Sequence, residues 1–377
     1  VPQAPRTFAF VITGHGYGHA SRQMEVMRTL LARDPEAEVR VLSAAPEAIF
    51  RSYLGAEPGI FERVAIVPHR ADVGLVQIDS LRMDPEATLG ALDERFGAEQ
   101  RAVDELCDRL AGLRASVIVA DIPPSAFAAA ARLRLPSVGV SNFDWAWIYG
   151  YYAQSDPRFG RWEQLFLRWQ AQATLALHLE PGPALSGFPR VIEVAPLARS
   201  LPRAMARDGA EIRRSLDIPA GHRAVLVSFG GCGLEDAERR IPKVPGVVWL
   251  LAPPMPDLGR PDTRFLPELP YLALFALADA VFIKPGYGTV CEAGLHRSRV
   301  LYTDRGDFPE YDYLVAWMEA NLPAVHVPSS LLGTEEGALA IEAALGRLFA
   351  LPERWPGPMN GAEEVAAIVE AVAESGC

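Results

Sequence analysis

The stretch Asp279-Ala-Val-Phe-Ile-Lys-Pro-Gly-Tyr-Gly-Thr-Val-Cys-Glu-Ala-Gly-Leu295 carries the clearest local signal in the chain. Ala280 to Ile283 is an apolar run of strand length, and Lys284-Pro285-Gly286-Tyr287-Gly288 breaks it. Thr289 is placed to cap a helix that continues through Glu292 and Ala293 to Leu295. A strand, a Gly-rich turn and a helix start form a ready anion site. The first-turn amides lack intrahelical acceptors, and the positive end of the helix dipole points the same way. Gly286 and Gly288 let the backbone approach a phosphate closely. Glu292, three residues past Thr289, either closes a capping box or reaches the hydroxyls of a bound ribose. An ordinary capped strand–turn–helix unit is the plainer alternative.

Lys284 to Glu292 resembles the donor-binding signature of the GT-B glycosyltransferases, a Gly-rich run that ends in Glu. The resemblance implies that Gly288 and Thr289 sit at a diphosphate and Glu292 at the ribose hydroxyls. It is closer still to the glycosyltransferase-like N-terminal half of the arabinokinases, which carry Gly-Tyr-Gly-Thr-Val-Ser-Glu-Ala at this place.

Upstream, strand-like runs alternate with helical ones. Thr7 to Thr13, Val39 to Ser43, Val64 to Val67, Ser116 to Ala120 and Ser137 to Val140 read as strands. Residues 86–113 read as one long amphipathic helix, through Leu89, Leu92, Phe96, Val103, Leu106 and Leu110. Leu175 to Leu179 and Val191 to Val194 complete the first half. A second alternation starts with Ala224 to Phe229, Val247 to Leu251, the 280–283 strand, Val300 to Thr303 and Ala324 to Val327. This spacing predicts two doubly wound parallel sheets, an α/β chain of two Rossmann-like domains facing a cleft. The expected division is 1–197 for an acceptor domain, 198–206 for a linker and 207–360 for a nucleotide-sugar donor domain. Residues 361–377 are expected to form a helix returning to the first domain. Ligands of such sheets bind at the carboxyl ends of the strands.

At 377 residues, half of them hydrophobic, each domain can bury its own core. A net charge of −11 argues against a nucleic-acid-binding surface. There is no run of 18 apolar residues and no signal-peptide pattern at the start, so a cytoplasmic protein is expected. The four cysteines lack metal spacing and read as thiols of a reducing compartment. Lys243 and Lys284 are the only lysines, which makes a lysine inside the Gly-rich turn informative; the Arg bias reads as a bacterial compositional habit.

The first Gly-rich loop is Gly14-His15-Gly16-Tyr17-Gly18-His19. It lacks the G-x-G-x-x-G spacing, and Val41-Leu42-Ser43 offers no acidic residue for a ribose, so a nicotinamide cofactor is not indicated. It offers instead two histidines on a turn. His19, at the helix start, can act as a general base near neutral pH, or it can cap the helix or touch a phosphate. Asp121, at the end of its strand, can orient an imidazole or cap a turn before Pro123-Pro124. Ser141 to Tyr149 reads as an aromatic loop, and in its Ser141-Asn142-Phe143-Asp144-Trp145 start Phe143 and Trp145 can stack on sugar faces while Asn142 and Asp144 bond hydroxyls. A domain-edge aromatic cluster is its alternative. Gly230-Gly231-Cys232-Gly233 follows a strand and can cradle a diphosphate with its amides.

The resemblance extends to these motifs. Gly14 to Arg22 is similar to the arabinokinase-like Gly-His-Gly-Phe-Gly-His-Ala-Thr-Arg, and His19 matches the base of inverting plant-type enzymes, with Asp121 as its orienting acid. His15 is implied as a second base candidate or an acceptor contact. Phe143 and Trp145 lie in a segment similar to the family's Asn-Phe-Ser-Trp-Asp, with Asp144 in place of Ser. Glu310 matches a donor-sugar ligand, with Asp307 in reserve.

Residues and resemblance together imply a glycosyltransferase moving a sugar from a nucleotide-diphosphate sugar, a UDP-sugar first, to a small-molecule or glycan acceptor. The expected outcome is inversion, without a metal: Gly230, Gly231, Lys284, Gly286, Gly288 and Thr289 would face the diphosphate. No resident cofactor is expected. A nucleotide-sugar 2-epimerase on the same fold and a non-catalytic nucleotide-sugar-binding protein are the alternatives. The kinase half of the arabinokinases has no counterpart in these residues, so sugar phosphorylation is not implied.

Overall fold

The computed structural model describes residues 6–15, 17–78, 82–205, 209–230, 233–306 and 308–375. Gly231 and Asp307 lie outside these. The chain divides into two compact units. One comprises residues 1–77, 83–198 and 358–377, the other residues 78–82 and 199–357.

In the first unit the order is β1 (Thr7–Ile12), α1 (Tyr17–Arg33), β2 (Glu38–Ser43), α2 (Glu47–Leu54) and β3 (Val64–Pro68). Then come α3 (Pro85–Phe96), α4 (Glu99–Ala111), β4 (Val117–Asp121), α5 (Ser125–Leu133) and β5 (Ser137–Ser141). The remainder is α6 (Trp145–Ala153), α7 (Gly160–Gln170), β6 (Leu175–Leu179) and β7 (Val191–Val194). The strands form a seven-stranded parallel sheet in the order β3-β2-β1-β4-β5-β6-β7. β1, β4 and β5 are buried along their whole length, as strands covered by helices on both faces must be.

The second unit runs α8 (Gly209–Ser215), β8 (Arg223–Ser228), α9 (Ala237–Arg240), β9 (Val247–Leu251), β10 (Thr263–Phe265) and α10 (Tyr271–Leu277). It continues with β11 (Ala280–Ile283), α11 (Tyr287–Leu295), β12 (Arg299–Tyr302), α12 (Tyr311–Asn321), β13 (Ala324–His326) and α13 (Glu335–Ala350). The six strands are parallel in the order β10-β9-β8-β11-β12-β13. The period-2 alternation splits their side chains between two cores. Val225, Val227, Trp249, Leu251 and Phe282 fill one, and Ala224, Leu226, Val248, Leu250, Val281 and Ile283 the other. The last helix, α14 (Gly361–Ser375), belongs to the first unit, where it packs on α1, β4, β5 and β7.

Three expectations are corrected. Residues 86–113 are two helices, not one: Ala98, at φ −103° and ψ 81°, leaves the helical region, so the chain turns between α3 and α4. The aromatic segment after β5 is largely a helix, α6, because the Asp144 carboxylate accepts from the Trp147 amide and starts it. Thr289 does not cap α11. The helix begins two residues earlier with extended Gly286 at its N-cap, and no side chain caps it. β10 and α9 were not foreseen; three and four residues are too short for a periodic signal.

Candidate functional site

In each sheet the winding direction reverses once, between β1 and β4 in the first unit and between β8 and β11 in the second. The loops leaving such a pair of strands diverge and open a crevice at their carboxyl ends. The Gly14–His19 turn leaves β1 and Asp121 ends β4; Gly230 follows β8 and the 284–288 turn follows β11. All four motifs therefore stand at the two switch points.

In the first unit, register brings Asp121 to His19. Ile12 pairs with Asp121 across β1 and β4, and the Thr13 amide donates to the Asp121 carbonyl at 3.3 Å. His19 Nδ1 then lies 2.8 Å from Asp121 Oδ1. His19 is 8% exposed and Asp121 wholly buried. Asp121 is further held by Arg22, whose Nε donates to Oδ2 at 2.6 Å and whose Nη2 donates to Oδ1 at 2.5 Å. Gln23 Nε2 donates to Oδ2 at 2.8 Å. Burial alone would raise the Asp121 pKa, but Arg22 and then His19 more than offset it and hold it at about 2. The carboxylate is thus ionised at any working pH.

The residues after β5 are placed beside this group and are themselves buried. Asn142 accepts from Arg22 Nη1 and spends its amide protons on the carbonyls of Leu179, at 2.8 Å, and Pro181, at 3.0 Å. The Asp144 carboxylate is likewise engaged, by the Trp147 amide at 2.8 Å and the Ser186 amide at 3.2 Å, and burial raises its pKa. The polar atoms of Asn142 and Asp144 are therefore engaged in internal bonds. Phe143 meets the His19 ring edge-on at 5.6 Å between centroids, and Trp145 meets His15 at 5.5 Å.

Sequence reasoning missed Asp72. It accepts from Thr13 Oγ1 at 2.8 Å and Trp145 Nε1 at 2.7 Å. Burial pushes its pKa up to about 6 against those two bonds. It lies in an irregular segment and carries no motif. Arg22 was also missed as a member of the group, although a residue three past His19 shares its helix face.

In the second unit the 284–288 turn runs directly into the first turn of α11, whose leading amides have no intrahelical acceptor. Gly286 adopts φ −153°, which any residue can adopt, and a side chain there would meet no protein atom within 4 Å. Lys284 is half-buried at the start of the turn. Gly230, at φ 74°, opens the loop after β8 in a conformation that favours glycine. Glu292 does not close a capping box. Its Oε1 takes two donors from Arg199, Nε at 2.7 Å and Nη2 at 2.6 Å, which compensates a carboxylate that is 3% exposed. Tyr271 shares a hydrogen bond of 2.7 Å with Ser228 at the end of β8. Glu310 precedes α12 and accepts from Arg305 at 3.2 Å; Arg305 also donates to the Pro285 carbonyl at 3.4 Å. Arg199 and Arg305 carry no sequence signal beyond being two of many arginines.

No family model matches the chain. L-arabinokinase of Arabidopsis thaliana is 28% identical over 97% of this chain, which corresponds to 34% of the relative. The chain thus spans about a third of that protein's length. Among solved structures, Arabidopsis thaliana UGT89C1 complexed with UDP is 15% identical, matches 99% of this chain and 100% of its own, and superposes with a TM-score of 0.62. The glycosyltransferase SnogD from Streptomyces nogalater is 18% identical over 98% of this chain and 99% of its own, with a TM-score of 0.55. Acinetobacter baumannii MurG is 13% identical over 97% of this chain and 100% of its own, at 0.57. The fold is that of the GT-B glycosyltransferases. In sequence the chain is similar to a third of L-arabinokinase.

Proposed function

We propose that this chain is a glycosyltransferase that moves a sugar from a nucleotide-diphosphate sugar to an acceptor nucleophile, with inversion. The observation that carries the reading is the 2.8 Å contact between His19 Nδ1 and Asp121 Oδ1, both buried, at a strand-switch point. A carboxylate on one ring nitrogen leaves the lone pair of the other for a proton. His19 Nε2 takes the acceptor O–H proton as the oxygen attacks the anomeric carbon. The bond from that carbon to the diphosphate oxygen breaks, its electron pair leaves with the nucleotide diphosphate, and His19 returns its proton to solvent. The second unit supplies the donor site. Gly286, Gly288 and Thr289, at the head of α11, and Lys284 meet the leaving charge in place of a metal ion. Gly230 flanks the diphosphate, Glu292 takes the ribose and Glu310 the sugar hydroxyls. A UDP-sugar is the first donor to try, since a structure of the same fold is complexed with UDP.

The test is a thermal-shift panel of UDP-, GDP-, dTDP- and CMP-sugars, then turnover with the stabilising donor and candidate acceptors. A stabilising UDP-sugar and acceptor-dependent release of UDP that survives a chelator are expected. An altered nucleotide sugar formed from donor alone would instead identify a 2-epimerase, and donor binding without turnover a binding protein.

A further inference from the structure

Ala20-Ser21-Arg22 continues the Gly14–His19 turn into α1, and the Arg22 guanidinium reaches the His19 ring as well as Asp121. His19 Nδ1, Arg22 Nη2 and Asp121 Oδ1 form a triangle with edges of 2.8 Å, 2.7 Å and 2.5 Å. A guanidinium is always a donor. If Nδ1 carries a proton, it donates to Asp121 and Nε2 keeps its lone pair. If Nδ1 is bare, it accepts from Arg22, and the ring proton sits on Nε2, where a base cannot use it. Two groups of opposite sign thus compete for one ring nitrogen. Burial makes the competition strong: Arg22 is 5% exposed, its fork engaged by Asp121 through Nε and Nη2, with Ser141 at 3.1 Å and Asn142 also accepting from it.

We propose that Arg22 is a positioning residue that sets the charge and tautomer of His19 by neutralising Asp121. The functional unit of the pocket is then a triad, His19–Asp121–Arg22. In a plain His–Asp pair, protonating the ring gives a neutral couple. Here the carboxylate charge is already cancelled, so protonation leaves a net positive charge in a buried pocket. Protonation of the ring is thereby disfavoured, and Asp121 Oδ1, which accepts from Arg22 Nη2, also accepts the Nδ1 proton. The other titratable groups nearby are His15, from the turn after β1, Asp72, from the segment after β3 and bonded to Thr13 and Trp145, and Asp144, before α6 and bonded to the Trp147 and Ser186 amides. All three stay intact in every variant used to test the triad. The role in catalysis rests on the reading of His19 as the base.

The experiment is a histidine NMR titration of the full chain, labelled with carbon-13 and nitrogen-15 at histidine, the His19 signals being assigned with His19→Gln. Arg22→Met is expected to raise the His19 pKa by about 1–3 units. Arg22→Lys keeps the charge but loses the fork, so its pKa should stay within about 0.5 unit of the parent while the nitrogen-15 shifts report a changed tautomer balance. An unmoved pKa in Arg22→Met, or an equal rise in Arg22→Lys, would overturn the proposal. Should Arg22→Met fail to fold, Asp121→Asn is compared with the double variant Asp121→Asn/Arg22→Met. The uncompensated guanidinium is expected to depress His19 in the single variant and to release it in the double; equal values sink the idea. Turnover separates the two readings. If His19→Ala retains full activity while the titration moves as expected, the base assignment falls and the triad stands. An unmoved titration with an inactive His19→Ala gives the converse.

Discussion

His19 touches a carboxylate and a guanidinium through one ring nitrogen. Alanine at position 19 is expected to lower kcat by roughly 10²–10⁴-fold with little change in donor affinity, measured by steady-state kinetics and calorimetric titration of the donor. Two buried acids of the first unit, Asp121 and Asp72, should leave opposite marks on stability. The Asp121 pKa is depressed from 3.8 to about 2, so its contribution is full above 3.8 and is lost as pH falls through 2. The Asp72 pKa is raised from 3.8 to about 6, so its contribution is full below 3.8 and is lost as pH rises through 6. Asp72 should therefore contribute a decline of order 2–3 kcal/mol to urea unfolding free energy across pH 4 to 7, and Asp72→Asn should remove that part. A decline of unchanged size in Asp72→Asn would refute the assignment. At this scale legibility was uneven. Two histidines on a Gly-rich turn and an acid at a strand end can be seen in a linear chain, because turn chemistry is local. Asp72 could not be seen, because nothing near it in sequence announces that Thr13 and Trp145 will close on it.

Among the elements, the 284–288 turn and α11 offer the sharpest separation of fold from function. Gly286 has an ordinary extended backbone and open space around its Cα, so the fold does not ask for glycine there. Gly286→Val is expected to change unfolding free energy by no more than about 0.5 kcal/mol. It should weaken UDP binding at least roughly tenfold, because the branched chain occupies the space a phosphate would approach. Thermal melts with and without UDP decide this, and equal stabilisation of both proteins by UDP would count against a phosphate site. The helix α6 shows where periodicity fails. Trp145-Ala-Trp-Ile-Tyr-Gly-Tyr-Tyr-Ala153 has no polar face, so neither a helical nor a strand period emerges from it. Its helical state comes from the Asp144 cap and from packing: Trp145 stacks on Tyr149, and Tyr149 on Phe159. Asp144→Ala should cost about 1–2 kcal/mol in unfolding free energy.

For the whole chain, the units differ in how continuous they are. The first recruits α14 from the far end of the sequence; the second is nearly one uninterrupted segment. The Gly361 Cα approaches the Ala195 carbonyl so closely that a Cβ would lie 2.2 Å from its oxygen, so α14 docks only with glycine at its first residue. Val365, Ala366, Val369 and Ala373 bury the rest of its inner face. Removing residues from 358 onward is expected to lower the melting transition of the first unit by several degrees and to leave that of the second unmoved, as read by calorimetry of the truncated chain. Equal shifts in both transitions would contradict the assignment of α14. The strand–turn–helix alternation, the doubly wound sheets and the Gly-rich turns at strand ends were all settled by the sequence alone. They depend on side-chain period and turn chemistry, which act over a few residues. Only the tertiary structure decided which charges meet: His19 and Asp121 are 102 positions apart, Thr13 and Asp72 are 59 apart, and strand order brings each pair together. It also decided how strongly they act, because a charge takes its effect from burial, and burial is a property of the packed fold.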